Sequence, residues 1–277
     1  MQSIFLTGAS GYLGSHLAEF FAQAGARVTR HSRQGPSLAE VFAQERFDAV
    51  LNCATNYGRS GEDVSQVLDA NLAFPVRVLE QCRGKTLFFI NAGTSLNPTL
   101  NAYALSKAQF LDWGRRAADQ LAFVNLELEM FYGPGQTHEQ FIPGTVHKLL
   151  SGSADLPLTS GLQRRNLVHI QDVVRAFAFV LHNPRFATPG YHAYRVSSLD
   201  NPTIREVVEK VTEFCGASKQ RLKFGALPGR TAATDSETPH SSPELRDLGW
   251  SPQRSLADGL RETVEQAQQA LKKQGAQ

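Results

Sequence analysis

The chain has 277 residues, of which 42% are hydrophobic and 19% charged, and its formal net charge is +2. This composition is typical of a globular protein with a sizeable core, and the small net charge gives no reason to expect nucleic acid or a membrane surface as a partner. Three scattered cysteines, with no signal-peptide pattern and no apolar run of membrane-spanning length, predict a cytoplasmic protein with free thiols and no bound metal.

The first predicted element is a buried parallel strand that contains the apolar run Ile4–Leu6. Three glycines follow with the spacing G-x-x-G-x-x-G, and a helical pattern of apolar residues begins after them. Gly8 would allow the tight turn, Gly11 the approach of a pyrophosphate, and Gly14 close packing of the helix on the strand. The helix N-terminus would offer N–H groups to phosphates. The alternative is a tight turn without a ligand. The expected cofactor contacts here are Gly8, Ser10, Gly11, Tyr12 and Leu13.

The second predicted strand, within residues 26–33, indicates which dinucleotide binds. An acidic residue at its end would bond the ribose 2′-hydroxyl of NAD, whereas a nearby arginine accommodates the 2′-phosphate of NADP. No acidic residue occurs between Glu19 and Glu40, but Ser32 and Arg33 do. We therefore predict NADPH, with NADP preferred over NAD and with Ser32 and Arg33 as phosphate ligands. The alternative is that these are solvated loop side chains.

A third predicted strand, residues 47–54, ends in small residues against which a cofactor could lie. A helix over 64–82 carries Asn71, and a further strand covers 86–90. Strands that alternate with helices predict an α/β fold with a doubly wound parallel sheet, a Rossmann fold. Ligands bind at the carboxyl ends of the strands of such sheets. Cofactor contacts are accordingly expected at Cys53, Ala54, Thr55 and Asn71.

By the same reasoning, the residues after Ile90 are expected to face the site: Asn91, Ala92, Gly93, Thr94 and Ser95. A predicted helix that opens near Asn101 then places Tyr103 and Lys107 on one face, because they are four residues apart.

The phenol of tyrosine has an ordinary pKa of about 10, and a neighbouring ammonium group would lower it. A hydroxyl from Thr94 or Ser95 would hold a substrate oxygen beside the phenol of Tyr103. This arrangement predicts proton transfer. The alternative is an amphipathic helix with Lys107 at the surface.

These motifs resemble those of an extended short-chain dehydrogenase/reductase, and specifically of its nucleotide-sugar branch. The resemblance spans nearly the whole chain. Its further segments are 131–135, 141–143, 165–173 and 248–252. Shorter segments are similar to the CDP-abequose and CDP-paratose synthases, which are 4-ketoreductases that use NADPH on CDP-4-keto-6-deoxyglucose: 53–58, 69–71, 123–129 and 224–227.

The resemblance implies that Tyr103 is the proton donor and that Lys107 binds the nicotinamide ribose and lowers the pKa of the phenol. Thr94 best fits the catalytic hydroxyl, with Ser95 as the fallback. Asn71 would shape the inner site, and the alternative is a helix side chain that hydrogen-bonds a loop. The chain departs from the family in its short connection between Thr94 and Tyr103.

Beyond Gly133, glycine and proline punctuate shorter elements, which predict a smaller substrate lobe interleaved with the sheet. We expect residues 1–134 and about 170–198 to form the dinucleotide-binding domain, and about 135–169 and 199–277 the substrate lobe. Arginine suits a substrate diphosphate because its guanidinium binds phosphate in a bidentate manner; exposed ion pairing is the alternative. The expected substrate contacts are Thr94, Ser95, Tyr132, Phe141, Arg165 and Arg230.

The function we predict is NADPH-dependent reduction of the C4 keto group of a nucleotide-linked 4-keto-6-deoxyhexose by a homodimer. The alternatives are an epimerase with tightly bound NAD and a non-catalytic NADP-binding sensor. A dehydratase would need an acidic pair after the catalytic hydroxyl, where this chain has Ser95 and Leu96. The nucleotide and the C4 stereochemistry stay open at this point.

Overall fold

The structure is a computed structural model that describes residues 2–152, 154–229 and 242–274, and these residues form two compact units. Unit 1 contains residues 2–128, 173–196 and 242–250. Unit 2 contains residues 129–152, 154–172, 197–229 and 251–274.

The elements follow one another as alternating strands and helices through the first half of the chain. They are β1 Ser3–Thr7, α1 Tyr12–Gln23, β2 Arg27–Arg30, α2 Leu38–Gln44, β3 Ala49–Asn52, α3 Val64–Leu68, a π-helical turn Asp69–Ala73, α4 Phe74–Cys82, β4 Phe88–Ala92, α5 Ala102–Ala117, β5 Ala122–Leu128, β6 Met130–Tyr132, α6 Phe141–Ser151, β7 Leu156–Leu158, β8 Leu167–His169, α7 Ile170–His182, β9 Gly190–Val196, α8 Ile204–Phe214, β10 Leu222–Phe224 and α9 Leu256–Gln274.

The main sheet of unit 1 has six parallel strands in the order β2-β1-β3-β4-β5-β9. Its central strands are buried on both faces, as their continuous apolar sequences predict. The chain leaves β1 toward β2 and then returns to pair β3 on the other side of β1. The carboxyl ends of β1 and β3 therefore meet at the topological switch point, where ligands bind in such sheets. The predicted doubly wound α/β fold is confirmed.

Aromatic packing fixes α5 against the sheet, and α5 carries Tyr103 and Lys107. Phe89 on β4 and Phe123 on β5 stack with ring centroids 5.4 Å apart, and Phe110 of α5 packs on both rings. A Cβ atom on Gly114 would lie 2.4 Å from the Phe123 ring, so only glycine allows the helix this close.

Two predicted boundaries differ from the structure. The backbone nitrogen of Thr86 bonds the carbonyl of Cys82 in the turn that ends α4, so β4 begins two residues later, at Phe88. β4 also continues two residues beyond Ile90, so Asn91 and Ala92 lie inside the strand and are buried. The single helix predicted over 64–82 is interrupted by the π-helical turn that contains Asn71.

Unit 2 contains two small parallel pairs, β6 with β8 and β7 with β10, beside helices α6, α8 and α9. Its core includes Tyr132, Ile142, Leu167, Val207 and Leu260. Thr203 caps α8 through a capping box with Glu206. None of the helices in the described ranges is long and apolar enough to cross a membrane.

Candidate active site

The glycine turn after β1 is a close-packed cradle that only glycine permits. Gly8 has a φ of +67°, and a Cβ atom there would lie 2.6 Å from the backbone nitrogen of Ala54. A Cβ atom on Gly14 would lie 2.1 Å from the carbonyl oxygen of Gly8. The Gly11 N–H donates to that same carbonyl at 2.9 Å. These contacts hold the turn tightly against the start of α1 and the end of β3.

The N-terminus of α1 provides the electrostatic part of this cradle. Gly11 is the N-cap, and it brings no side-chain cap to the first-turn N–H groups. These groups and the helix dipole favour an anion. Thr7 joins the two strand ends, because its Oγ1 accepts hydrogen bonds from the backbone nitrogens of Cys53 and Ala54, both at 3.1 Å. The residues present thus fit a dinucleotide pyrophosphate.

A buried chain of side-chain hydrogen bonds crosses four strands below the cradle. Thr7 Oγ1 donates to Asn52 Oδ1 at 2.8 Å, and Asn52 Nδ2 donates to Asn91 Oδ1 at 2.9 Å. Asn91 Nδ2 then donates to Asn125 Oδ1 at 2.8 Å. All four side chains are almost fully buried. This polar ladder fixes the positions of the four strand ends relative to one another.

The loop after β2 presents Ser32 and Arg33 at the surface of unit 1. The N–H of Gln34 donates to Ser32 Oγ at 3.3 Å and the N–H of Gly35 donates to the Ser32 carbonyl at 3.1 Å, so the loop is a compact turn. Exposed cationic and hydroxyl groups at this strand end can receive a ribose phosphate. Their role in cofactor binding stays a prediction.

Tyr103 and Lys107 lie in the first half of α5, which begins after Asn101 because the Asn101 side chain accepts from the Ala104 N–H at 2.8 Å. Thr94, just beyond β4, lies beside Tyr103, and its hydroxyl lowers the pKa of the phenol. Lys107 is only 4% exposed, which excludes the alternative of a surface lysine. The structure therefore brings together the three side chains predicted to be catalytic.

Burial dominates the electrostatics of these groups. It raises the pKa of Tyr103 above its ordinary value, and the neighbouring phenol of Tyr57 raises it further, whereas hydrogen bonds from Thr94 and Thr55 and the charge of Arg59 lower it. The expected lowering by Lys107 is not what the structure gives, and that expectation was wrong.

Burial also lowers the pKa of Lys107 to about 8 and raises that of Cys53 to about 12. The Tyr103 phenol is thus protonated at neutral pH, which is the form required of a proton donor.

Asn71 holds the loop that follows β3. Its Oδ1 accepts from the N–H of Asn56 at 2.8 Å and from Thr55 Oγ1 at 3.1 Å, and its Nδ2 donates to the Asn56 carbonyl at 2.8 Å. The same amide donates to Ser106 Oγ at 3.2 Å. The interpretation of Asn71 as a helix side chain that hydrogen-bonds a loop is confirmed, and the π-helical turn gives its side chain this position.

A cavity of about 350 Å³ lies beside Lys107, under the short connection between β4 and α5. Thr94, Lys107 and Asn125 are among its lining residues. Asn125, at the end of the polar ladder, and Lys107 therefore border the same cavity.

The predicted substrate contacts in unit 2 have different surroundings. Tyr132 is 2% exposed, and its hydroxyl donates to the Leu256 carbonyl at 3.3 Å, which favours a role in packing rather than in substrate binding. Phe141 packs against the same core cluster. Arg165 is partly buried, and its Nη1 donates to the Arg164 carbonyl at 2.7 Å. Arg230 lies outside the described residues.

Sequence reasoning missed the neighbours of Tyr103 that follow β3. The ring of Tyr57 lies 4.9 Å from that of Tyr103, and the guanidinium of Arg59 lies over Tyr57 at 5.2 Å. Two features of Gly58 shape the turn that positions Tyr57. Its φ is +64°, and its N–H donates a hydrogen bond to Asn56 Oδ1. An aromatic residue next to a glycine in the loop after β3 was the available signal.

Comparison with known sequences agrees with this geometry. The sequence model of the NAD dependent epimerase/dehydratase family matches residues 4–196, which include the cradle, Thr94, Tyr103 and Lys107. The chain belongs to this family. The predicted membership of the extended short-chain dehydrogenases/reductases is thereby confirmed, together with the expectation of an enzyme.

Several family relatives match over different lengths. CDP-abequose synthase of Salmonella typhimurium is 25% identical over 95% of this chain and 97% of its own length. CDP-abequose synthase of Yersinia pseudotuberculosis is 26% identical over 80% of this chain and 87% of its own. dTDP-glucose 4,6-dehydratase of Streptomyces niveus is 31% identical, but over 48% of this chain and 38% of its own.

Solved structures of the family have the same fold. UDP-glucose 4-epimerase of Thermotoga maritima, determined with UDP-glucose, aligns with a TM-score of 0.82 at 18% identity, over 98% of this chain and 100% of its own. dTDP-glucose 4,6-dehydratase of Bacillus anthracis, in complex with NAD, aligns with a TM-score of 0.78 at 19% identity, over 97% of each chain.

Proposed function

We propose that the protein is an NADPH-dependent reductase of the C4 keto group of a nucleotide-linked 4-keto-6-deoxyhexose, with CDP-4-keto-6-deoxyglucose as the favoured substrate. The observation that carries this proposal is the extent of the match to CDP-abequose synthases, which covers 95% of this chain and nearly their whole length. The dehydratase relative from Streptomyces niveus matches less than half of each chain.

The side chains on α5 and at the end of β4 support a proton-transfer role. A bound nicotinamide dinucleotide would supply the hydride to the carbonyl carbon. Thr94 would hold the substrate oxygen by a hydrogen bond, and Tyr103, protonated at neutral pH, would donate its proton to that oxygen. Lys107, four residues further along α5, would bind the nicotinamide ribose. The carbonyl thus gains one hydride and one proton and becomes a CH–OH group.

The loop after β2 supports NADPH over NADH. Its exposed Ser32 and Arg33, with no acidic side chain between Glu19 and Glu40, suit a 2′-phosphate and offer no acceptor for a free 2′-hydroxyl. This preference also argues against an epimerase that retains NAD. The retention of Thr94, Tyr103 and Lys107 together argues against a non-catalytic NADP-binding sensor.

The residues after β4 argue against a dehydratase. Ser95 and Leu96 follow Thr94, so this segment supplies no acid–base pair for the elimination step of a dehydratase. We therefore place reduction above dehydration as well as above epimerisation. Within this proposal, unit 1 binds the dinucleotide and unit 2 contributes the substrate lobe.

We propose that the enzyme is a homodimer joined by an exposed face of unit 1. Trp113 and Leu105 on α5 are 43% and 47% exposed, and Leu72, Gln109 and Arg116 lie on the same face. Large apolar side chains clustered on one helix face favour burial by a partner. Light scattering of the wild type should give a dimer, and Trp113→Glu should give a monomer; a wild-type monomer would contradict the proposal.

The three cysteines are free thiols, which supports a reducing compartment and hence a cytoplasmic enzyme.

Direct assay of the purified protein tests the proposed function. NADPH and a panel of CDP-, dTDP-, GDP- and UDP-linked 4-keto-6-deoxyhexoses are supplied separately, NADPH oxidation is followed by absorbance, and the product is identified by NMR. We expect oxidation with the CDP-linked sugar and a new C4 proton in the product, whose coupling reports the stereochemistry. Interconversion of C4 epimers without net loss of NADPH would indicate an epimerase instead.

A further inference from the structure

The backbone on both sides of Thr94 is anchored on the neighbouring strand β5. The N–H of Gly93 donates to the Leu126 carbonyl at 2.8 Å, and the N–H of Ser95 donates to the Leu128 carbonyl at 3.1 Å. These two bonds continue the parallel pairing of β4 with β5 beyond the last residue of β4. The position of Thr94 is therefore set by the path that the backbone follows along β5.

The Thr94 hydroxyl is oriented by the same stretch of backbone. Its Oγ1 accepts a hydrogen bond from the N–H of Leu96 at 3.3 Å. Because a hydroxyl has one hydrogen and two lone pairs, this bond leaves the hydrogen of Thr94 available for a substrate oxygen. A shift of the backbone at Gly93 would therefore move the group that is proposed to hold the substrate.

The side chain of Asn125, on β5, packs directly against Gly93. A Cβ atom on Gly93 would lie 3.0 Å from Cγ of Asn125 and 2.8 Å from Nδ2, and it would be closer still to Oδ1, so the whole amide group faces the glycine. Gly93 does not have a positive φ, in contrast to Gly8. A side chain at residue 93 is thus excluded by the amide and not by the backbone conformation.

The amide of Asn125 is held in one orientation. Its Oδ1 accepts a hydrogen bond from Asn91 Nδ2 at 2.8 Å, and Asn91 Oδ1 accepts one from Asn52 at 2.9 Å. Asn125 is only 2% exposed, and a buried polar group that loses its partner is costly. The polar ladder therefore keeps this amide against the residue that precedes Thr94.

We propose that Asn125 is a positioning residue for Thr94. Its amide, held by Asn91, sets the path of the backbone at Gly93 and with it the position of the catalytic hydroxyl. At the other end of the polar ladder, Thr7 bonds the backbone beside the glycine cradle, so one buried network supports both the cradle and the hydroxyl. The inference rests on the proposed function, in which Thr94 holds the substrate oxygen.

The first experiment combines substitutions on the two sides of the contact between Asn125 and Gly93. Gly93→Ala adds a methyl group that meets the amide, and kcat should fall by about 10- to 100-fold, because a misplacement of about 1 Å can cost about 10²-fold. Asn125→Ala removes the amide. In the double variant the methyl group has room, so kcat should be higher than in Gly93→Ala alone. The KM for NADPH should stay within about twofold in Gly93→Ala.

A second pair of variants determines whether the effect passes through the Thr94 hydroxyl. Thr94→Val removes the hydroxyl, keeps the shape of the side chain, and should itself lower kcat. Adding Gly93→Ala to Thr94→Val should then change kcat by less than about twofold, since the group that it displaces is already absent. A merely structural effect of Gly93→Ala would lower kcat by the same factor in both backgrounds.

Gly190→Ala is the matched control. Gly190 also lacks a positive φ, and an added Cβ atom would meet the ring of His192 at 3.1 Å. It is the first residue of β9, at the opposite end of the parallel sheet from Thr94, so its kcat should equal that of the wild type. If a thermal melt shows Gly93→Ala to be unfolded, Asn125→Ala replaces it: alone it should lower kcat, and added to Thr94→Val it should not.

Four results would overturn the inference. Two concern single variants: a wild-type kcat in folded Gly93→Ala, or a wild-type kcat in Thr94→Val. The others are a double variant with Asn125→Ala that is no more active than Gly93→Ala, and equal losses from Gly93→Ala with and without the Thr94 hydroxyl. Tyr103→Phe is assayed in parallel. If it is inactive while any of these results is found, the inference about Asn125 fails alone; if Tyr103→Phe is fully active, the proposed function fails as well.

Discussion

Gly8 and Ala54 approach each other so closely that a methyl group on Gly8 would lie 2.6 Å from the Ala54 backbone nitrogen. The contact joins the end of β1 to the end of β3 at the switch point of the sheet. The glycine turn is therefore in direct contact with the loop that carries Thr55, and the shape of the phosphate cradle requires that residue 8 has no side chain.

Gly8→Ala should weaken dinucleotide binding and destabilise unit 1. The substitution adds a steric clash to the cost of a positive φ, which alone is about 1–2 kcal/mol. Gly25→Ala is the matched control, because Gly25 also has a positive φ, +82°, but no atom lies within 4 Å of its added Cβ. Calorimetric titration with NADPH should show a loss for Gly8→Ala only. Equal affinities in the two variants would show that the clash is relieved without disturbing the cradle.

Arg33→Ala should weaken NADPH binding much more than NADH binding. The guanidinium is exposed after β2, and its proposed partner is the 2′-phosphate, which only NADPH carries. A loss of about 10-fold or more for NADPH is expected for a charge-assisted contact. Arg185→Ala, at another exposed arginine of unit 1, controls for net charge. Similar losses for both dinucleotides would assign the 2′-phosphate to another side chain.

Asn91→Leu should destabilise the protein by about 2–4 kcal/mol, because it leaves the Asn52 amide and the Asn125 carbonyl oxygen buried without partners. The measurement is the free energy of unfolding in denaturant. Asn97→Leu in the partly buried loop after β4 serves for comparison. A loss in Asn91→Leu no larger than in Asn97→Leu would mean that the polar ladder contributes little to stability.

Lys107→Met should raise stability near neutral pH in the protein without dinucleotide while abolishing turnover. Burial lowers the pKa of Lys107 from 10.5 to about 8, so below pH 8 the folded state carries a buried charge. Between about 8 and 10.5 the unfolded chain binds more protons than the folded one, and wild-type stability rises with pH. The difference in free energy of unfolding between Lys107→Met and the wild type, on the order of 3 kcal/mol at most, should therefore shrink to zero as the pH rises across this interval. A gap independent of pH would contradict the buried cation.

The sheet and its ligand edge could be predicted because their signals are local. The apolar runs of β1, β3 and β4 and the glycines between β1 and α1 each report a backbone requirement directly. The spacing of Tyr103 and Lys107 similarly reports one helix face. Boundaries were less predictable, since the turn at Thr86 depends on a hydrogen bond to Cys82.

The contacts around the phenol could not be predicted, because they depend on segments far apart in sequence. Thr55, Asn71 and Ser106 form one network only after β3, the π-helical turn and α5 have packed. The pKa of Tyr103 was predicted in the wrong direction for the same reason. Sequence spacing shows a nearby amine, whereas the burial that dominates is a property of the folded unit.

The central claim is that Tyr103 donates the proton in a reaction whose cofactor binds elsewhere in unit 1. The most direct test is Tyr103→Phe, assayed in parallel for NADPH affinity and for single-turnover reduction of CDP-4-keto-6-deoxyglucose. We predict nearly unchanged NADPH affinity and a rate reduced by about 10²–10⁴-fold, the usual contribution of general acid catalysis. A Tyr103→Phe enzyme that reduces this sugar at the wild-type rate would contradict the account.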